Sequence, residues 1–321
     1  MANRTAVLET PAAVKTKKPA SLWGDAYRRL LKNRLAIVGG IIVIFLVFVA
    51  IFGPYLTPFD YRDQDLQGLT AYATAQGQSI RPIPPFVTGH FLGTDQLGRD
   101  LLSRLMDGAR ISMTVAIIVQ IVVLGIGVPV GAAAAWFGGR LDTLLMRITD
   151  IVYAFPDLLF IILLSVAFRD TFFGKAIDGL LIVFVAIGLT SWVTMARLVR
   201  GQLLSLKESE FVEAARAIGV SDRRIVTRHL LPNALGPIIV AVTLGIPGAI
   251  LAEATLAFIG VGVQAPRASW GSLVAEGQKF VQSSPHLVVF PALAVAIALI
   301  SFTFLGDGLR DALDPKLKGK Q

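Results

Sequence analysis

The sequence of 321 residues contains no cysteine, which excludes disulfides, thiolate metal sites and cysteine nucleophiles. Histidine is also scarce. The three that occur, His90, His229 and His286, are dispersed and lack the spacing of metal ligands. Paired carboxylates, or a nucleophile with its base, do not occur at a convincing spacing within the apolar segments. We therefore expect no catalytic residue, no metal site and no cofactor bound by this chain.

Charged residues make up only 16% of the sequence, whereas hydrophobic residues make up 54% and the mean hydropathy is +0.67. The hydrophobic share and the mean hydropathy exceed those of a soluble globular domain of this size, and the charged share is lower than in such a domain. The net charge of +8 is compatible with nucleic-acid binding, but the basic residues lie between apolar segments rather than along one face interleaved with aromatic residues. The composition predicts a polytopic α-helical membrane protein that contacts the lipid bilayer and binds no nucleic acid.

Six apolar segments approach the roughly 20 residues that a transmembrane helix needs. They are 35–53, 111–136, 145–168, 176–197, 236–261 and 287–306. Polar residues interrupt the third segment, where Arg147 and Asp150 are three residues apart. Because that spacing brings side chains together on a helix, we expect these two residues to pair with each other.

The distribution of lysine and arginine predicts that both termini are cytoplasmic. In that orientation the cytoplasmic segments hold 21 of the 30 basic residues and the extracytoplasmic segments hold 9. The resulting organisation is a cytoplasmic segment 1–34, disordered and then basic; one span 35–53; an extracytoplasmic loop 54–110; a five-helix core 111–306; and a cytoplasmic tail 307–321.

The extracytoplasmic loop 54–110 is long enough to have structure of its own. Its prolines predict an irregular first part, and the leucine-rich stretch after Asp100 predicts a short interfacial helix leading into the second span. Gly127 and Gly131, inside that span, form a small-x3-small pair and predict close packing against another helix.

The cytoplasmic segment 201–232 predicts two short helices bent at Gly219. Apolar residues at i, i+3, i+4 and i+7 predict one face of the first helix: Phe211, Ala214, Ala215 and Ile218. Gly219 is placed to end that helix in the left-handed conformation, Ser221 to cap the second, and Pro232 to follow it. Two such helices form a compact knob that could fit a partner's groove.

This segment carries a motif: Glu213-Ala214-Ala215, then Gly219, then nine residues and His229-Leu230-Leu231-Pro232. It resembles the EAA loop of ATP-binding-cassette (ABC) importer permeases, although His229 stands where the family pattern often has isoleucine. Further stretches resemble the C-type subunit of dipeptide and oligopeptide permeases: 93–100, 103–104, 108–112, 269–271 and 306–315. The resemblance covers nearly the whole chain from about residue 22.

The resemblance implies a type I ABC importer permease with six transmembrane helices and a cytoplasmic coupling helix. Its partners would be a second homologous permease subunit, two ABC ATPase subunits that bind ATP and Mg, and an extracytoplasmic substrate-binding protein. The implied function is import of dipeptides or oligopeptides across a prokaryotic cytoplasmic (inner) membrane. Related importers carry nickel chelates, glutathione or sugars. The residues implied at the ATPase contact are Glu213, Ala214, Ala215, Gly219, Arg223, Leu231 and Pro232.

The chain itself has no Gly-x4-Gly-Lys-Ser/Thr phosphate loop, so ATP would bind to a partner. The alternative is a secondary transporter or channel that needs no ATPase. Such a protein would carry charges near the bilayer midplane and inverted repeats. Only Glu253 is a candidate for a deep charge, and no clear repeat is present.

Several charged or aromatic residues have two possible roles. Glu253, inside the fifth span, could line the pathway or pair with an arginine of another helix; we favour the pair. Trp270 could be a docking residue or an interfacial anchor. Four residues of the extracytoplasmic loop could contact the binding protein and peptide, or hold the loop to the helices through ion pairs: Asp95, Arg99, Asp100 and Arg110.

Overall fold

The computed structural model describes residues 22–77, 81–87, 89–168 and 170–314. The N-terminal residues that we expect to be disordered lie outside the described residues, and so does the end of the tail 307–321. In chain order the helices are α1 (Leu22–Leu30), α2 (Arg34–Leu56), α3 (Leu66–Gln76), α4 (Leu101–Phe137), α5 (Gly139–Ala154), α6 (Asp157–Phe168), α7 (Phe172–Lys175), α8 (Leu180–Lys207), α9 (Glu210–Ala217), α10 (Asp222–Arg224), α11 (Leu231–Phe258), α12 (Trp270–Gln278) and α13 (His286–Leu313). A 3₁₀ turn, Ala176–Gly179, precedes α8, and a π-helical segment, Ile225–Leu230, joins α10 to α11.

Five helices in the described ranges are long and apolar enough to cross a membrane. They are α2, α4, α8, α13 and the continuous helix Asp222–Phe258, which α10, the π-helical segment and α11 form together. α5 and α6 make a sixth candidate, a broken span bent by 83°. Each of the six predicted apolar segments overlaps one of these crossings, so the prediction of an all-α membrane protein is confirmed.

α4 lies at the centre of the bundle and packs against α2, α8 and α11. It approaches α8 closely at Gly127 and Gly131. A Cβ atom on Gly127 would lie 2.7 Å from Met195 Cβ, and one on Gly131 would overlap the carbonyl oxygen of Ala196. The two glycines let the helix backbones meet, which confirms the close packing predicted from their spacing.

The helix predicted after Asp100 is present, but it is one with the second span, because α4 runs without a break from Leu101 to Phe137. Asp100 is its N-cap residue and accepts a hydrogen bond from Ser103 N at 2.8 Å. Gly108 does not end the helix. It leaves room for Trp270, whose Cδ1 would lie 3.2 Å from a Cβ atom there. The predicted boundary between loop and span therefore falls inside one helix.

Two short helices lie in connections where the sequence analysis predicts none. α3 interrupts the loop expected to be irregular, and its ends are an N-cap Asp65, which accepts a hydrogen bond from Gly68 N at 2.8 Å, and a left-handed Gly77. α12 begins with a capping box between Ser269 and Ser272. The cap residues of both helices are of the types that commonly begin a helix, but neither helix was predicted from them.

The segment 201–232 also differs from the two separate short helices predicted for it. α8 continues to Lys207, α9 is the only separate short helix of this segment, which the structure describes in full, and α10 continues into α11. The π-helical segment ends at Leu230, two residues before Pro232. Pro232 cannot donate a backbone hydrogen bond, and the wider turn before it accommodates the proline without ending the helix. Ser221 occupies the N-cap position of α10, but its side chain makes no capping hydrogen bond.

Candidate functional site

α9 stands at the end of the bundle where α4 and α8 finish. Gly219, with a φ of +78°, ends it in a Schellman motif: Val220 N donates to Ala215 O at 3.0 Å and Gly219 N to Arg216 O at 2.9 Å. No atom lies within 4 Å of a Cβ built on Gly219. The glycine is therefore required by backbone conformation and not by space, and its predicted role as a left-handed helix end is confirmed.

α9 buries only part of its predicted apolar face. Val212 and Ala215 are buried, whereas Phe211 and Ile218 are 40% and 81% exposed. Ala214 and Glu213 are exposed beside them. α9 packs on the bundle through Val212 and Ala215, so Phe211, Ala214 and Ile218 of the predicted apolar face are turned outward.

The remaining residues of the motif extend the same surface onto the next helix. Arg223 and Pro232 are exposed and Leu231 is half-buried, while Ile225 and Leu230 anchor the π-helical segment in the core. The outer surface of α9 thus presents two carboxylates, Glu210 and the Glu213 of the EAA motif, together with exposed apolar side chains. Such a surface suits a partner that offers basic residues around an apolar groove.

The opposite end of the bundle holds a buried ion-pair network centred on Arg104. Its Nη1 lies 2.7 Å from Asp95 Oδ2 and 2.7 Å from Glu276 Oε2, and the same Asp95 oxygen lies 2.7 Å from Arg99 Nε. The Arg104 side chain is 2% exposed. The network joins the loop before α4 to α12. Arg104 belongs to the stretch 103–104 noted in the sequence, but its ion pairs were not predicted. Glu276 was not singled out, because it lies 172 residues from Arg104.

The other two charged candidates of this end are also held by the chain itself. Asp100 caps α4, and its Oδ1 lies 2.9 Å from His90 Nδ1. Arg110 donates to the carbonyl oxygens of Ala50 and Ile51 at 3.2 and 3.0 Å, which ties α4 to the end of α2. These contacts favour the scaffolding role over direct contact with a solute.

Glu253 is a residue of α11, is 1% exposed, and lies against α4 and the start of α12. Ser112 Oγ donates to its Oε2 at 3.2 Å, while Oε1 has no hydrogen-bond partner among the residues described. The expected pairing with an arginine is therefore not what the structure contains. A serine of α4 takes that place, and the carboxylate is enclosed by helices in this conformation.

Trp270 is buried, so it is neither an exposed docking residue nor an interfacial anchor. Its Nε1 donates to Leu105 O at 3.0 Å, and its backbone N donates to Ser112 Oγ at 3.2 Å. Gly271 lies directly against the backbone of Ala254. These contacts fix α12 between α4 and α11.

The predicted pair between Arg147 and Asp150 is replaced by an interhelical pair. Asp150 Oδ1 lies 2.7 Å from Arg197 Nη2 of α8, and Arg197 also lies over the ring of Tyr153. On α8, three residues closer to α9, Arg200 donates two hydrogen bonds of 2.6 Å to Asp142. The acidic side chains of α5 thus hold that helix to α8.

Two family models match the chain. One, described as the binding-protein-dependent transport system inner membrane component, matches residues 127–319, and the N-terminal TM domain of oligopeptide transport permease C matches residues 21–73. The chain is 43% identical over 296 residues to the oligopeptide transport system permease protein OppC of Haemophilus influenzae, covering 92% of this chain and 89% of that protein. It is 36% identical over 318 residues to the glutathione transport system permease protein GsiD of Pectobacterium atrosepticum, covering 98% of each.

The fold is similar to that of a solved structure as well. A chain of the MetNI methionine ABC transporter, in an inward-facing conformation, matches with a TM-score of 0.53 and 20% identity, covering 64% of this chain and 94% of that one. At this identity the likeness shows the fold alone, a type I ABC permease arrangement. From the matched residues and the full-length relatives together, the chain belongs to the family of binding-protein-dependent transport system inner membrane components, as a multi-pass membrane permease.

Proposed function

We propose that this chain is the transmembrane subunit of an ATP-driven importer of short peptides, in which it forms half of the translocation pathway. The observation that carries the proposal is the outward-facing surface of α9, with Glu213 and Ala214 of the EAA motif exposed together with Phe211 and Ile218. The peptide class is supported by the names of two relatives, the OppC proteins of Haemophilus influenzae and, at 40% identity over 303 residues, of Bacillus subtilis.

An ABC ATPase subunit is the partner that we assign to α9. Exposed apolar side chains flanked by carboxylates lose water on docking and gain basic partners, which favours a specific contact. Closure of two ATPases around ATP would move α9, and the attached helices would rotate between inward-facing and outward-facing states. ATP and Mg would bind to those subunits, since the sequence lacks a phosphate loop.

The orientation follows from the basic residues. We place α1, α9 and both termini in the cytoplasm, and the Arg104 network and α12 on the extracytoplasmic side of a prokaryotic inner membrane, where a binding protein delivers the solute. Ser191, Thr194 and Arg197 form an exposed polar row on α8. Because polar side chains are costly against lipid, we assign this row to the second permease subunit or the pathway between the two subunits.

Glutathione is a second candidate solute, supported by the GsiD relative that matches over 98% of both chains. It is itself a small peptide with a γ-linked glutamate, so a pathway that accepts varied peptide main chains would suit it. A pathway of that kind leaves most of the solute specificity to the binding protein.

The test is purification and reconstitution of the complete complex, expressed with its partner subunits. We expect an ATPase to co-elute with the wild-type chain and to be lost with Glu213→Lys but retained with Glu213→Gln, which keeps the size of the side chain. In liposomes, ATP-dependent uptake of labelled trialanine exceeding that of glutathione supports the peptide assignment. If the wild-type chain carries no ATPase and moves solute without ATP, it is a secondary transporter and the proposal is wrong.

A further inference from the structure

One aromatic side chain joins the three helices that meet at the α9 end. Trp136 is the penultimate residue of α4 and is 8% exposed. The Lys207 ammonium at the end of α8 lies 5.4 Å from the ring centroid of Trp136, and the Arg216 guanidinium of α9 lies 5.1 Å from it. We call Trp136, Lys207 and Arg216 the tryptophan clasp.

The lysine of the clasp also fixes the ends of α4 and α8 relative to each other. Its Nζ donates to Ala135 O at 3.1 Å and to Trp136 O at 2.7 Å. These carbonyls belong to the last turn of α4, where carbonyl groups carry partial negative charge and lack helical partners. The Lys207 ammonium, held by two hydrogen bonds and by the ring of Trp136, therefore fixes the end of α8 to the end of α4.

The arginine of the clasp belongs to α9, the helix that we assign to the ATPase contact. Arg216 is exposed on α9 and directly follows the buried Ala215. A guanidinium over an aromatic ring is attracted to the ring electrostatically and has no single required hydrogen-bond geometry. The contact therefore survives a change in the tilt of α9, and the attraction draws the ring of Trp136 after the guanidinium.

We propose that Trp136 is a positioning residue for energy coupling, which transmits the displacement of α9 to the ends of α4 and α8. This inference rests on the proposed function, because it takes α9 as the ATPase contact. α4 is continuous over 37 residues and carries Arg104 of the buried network near its other end. A shift imposed on Trp136 thus reaches the opposite end of the bundle through one helix.

The experiment uses the complete reconstituted complex and measures trialanine taken up per ATP hydrolysed, ATPase co-elution and thermal unfolding. We expect Trp136→Leu and Arg216→Gln each to lower uptake per ATP roughly two- to fivefold without loss of the ATPase, a range set by the strength of a cation–π contact with an exposed cation. The double variant should be no worse than Trp136→Leu alone. Trp136→Phe and Arg216→Lys, which keep a ring and a cation, should retain more than half of the wild-type ratio.

A matched control is Arg140→Gln, which removes an exposed cation at the start of α5 and should leave the ratio unchanged. The proposal is overturned if uptake per ATP stays at the wild-type level in the single variants, or if the two effects multiply in the double variant. It is equally overturned if Trp136→Phe behaves as Trp136→Leu does, which would indicate packing alone. Should Trp136→Leu not assemble, the exposed Arg216 variants decide the question. A wild-type complex without ATP-driven uptake contradicts the proposed function itself, and the clasp falls with it.

Discussion

Arg104 of α4 and Glu276 of α12 form a bidentate ion pair, with Nη1 to Oε2 at 2.7 Å and Nη2 to Oε1 at 3.1 Å, across 172 residues of sequence. Asp95 approaches the same guanidinium from the loop before α4. The loop before α4, α4 itself and the distant α12 therefore share one buried cation, and the extracytoplasmic end that we propose depends on it.

Replacing that cation should destabilise the fold strongly. Arg104→Leu leaves Asp95 buried with Arg99 as its remaining ionic partner, and we expect a loss of about 3 kcal/mol in the free energy of unfolding. Glu276→Gln should cost less, about 1 kcal/mol, because Glu276 is partly exposed and its amide can still accept a hydrogen bond. Thermal unfolding of the detergent-purified chain measures both. Equal losses in the two variants would contradict the central role of Arg104.

The α4–α8 contact provides a second prediction. Gly131→Ala places a Cβ against the backbone oxygen of Ala196, which can move only with its helix, so we expect a loss of about 1 to 3 kcal/mol in stability. Gly125→Ala, on the same helix, is the control. No atom lies within 4 Å of its added Cβ, and it should be neutral or slightly stabilising. Thermal unfolding of the two variants side by side is the measurement, and indistinguishable midpoints would rule out the close contact at Gly131.

The end of α9 provides a third prediction, this time for coupling. Gly219→Ala must hold an L-residue at a φ of +78°, at a cost of roughly 1 to 2 kcal/mol, so the orientation of α9 should change and the co-eluting ATPase should decrease. Gly219→Asn should be milder, since asparagine tolerates the left-handed conformation. Gly201→Ala, in an open position of α8, is the control and should retain the ATPase. Full retention in Gly219→Ala would show that the left-handed turn is dispensable.

Apolar length and basic-residue placement are local properties, which is why the six crossings could be predicted. The course of the chain between them depends on contacts that the sequence does not display. The predicted boundary between loop and span falls at residues 110 and 111, but α4 continues through it, and Trp270, far along the chain, packs against α4 at Gly108. Asp150 has Arg147 within reach on its own helix, yet the arginine of α8 is its partner.

The candidate site shows the same division. The EAA motif and Gly219 were identified from their spacing, but not the face that α9 buries. Apolar residues occur on both sides of this short helix, and the choice of Val212 over Phe211 is made by the helices beneath it. Trp136 and Lys207 carry no motif. Their importance arises only because α4 and α8 end beside each other.

The 83° bend between α5 and α6 determines what must surround this part of the chain. At Phe155 and Pro156 the regular pattern of helical hydrogen bonds is interrupted, and both residues are exposed. Hydrocarbon cannot satisfy such backbone groups, so irregular chain at membrane depth occurs only against protein or water. We therefore expect the side of the chain that carries the bend to face protein or water rather than lipid.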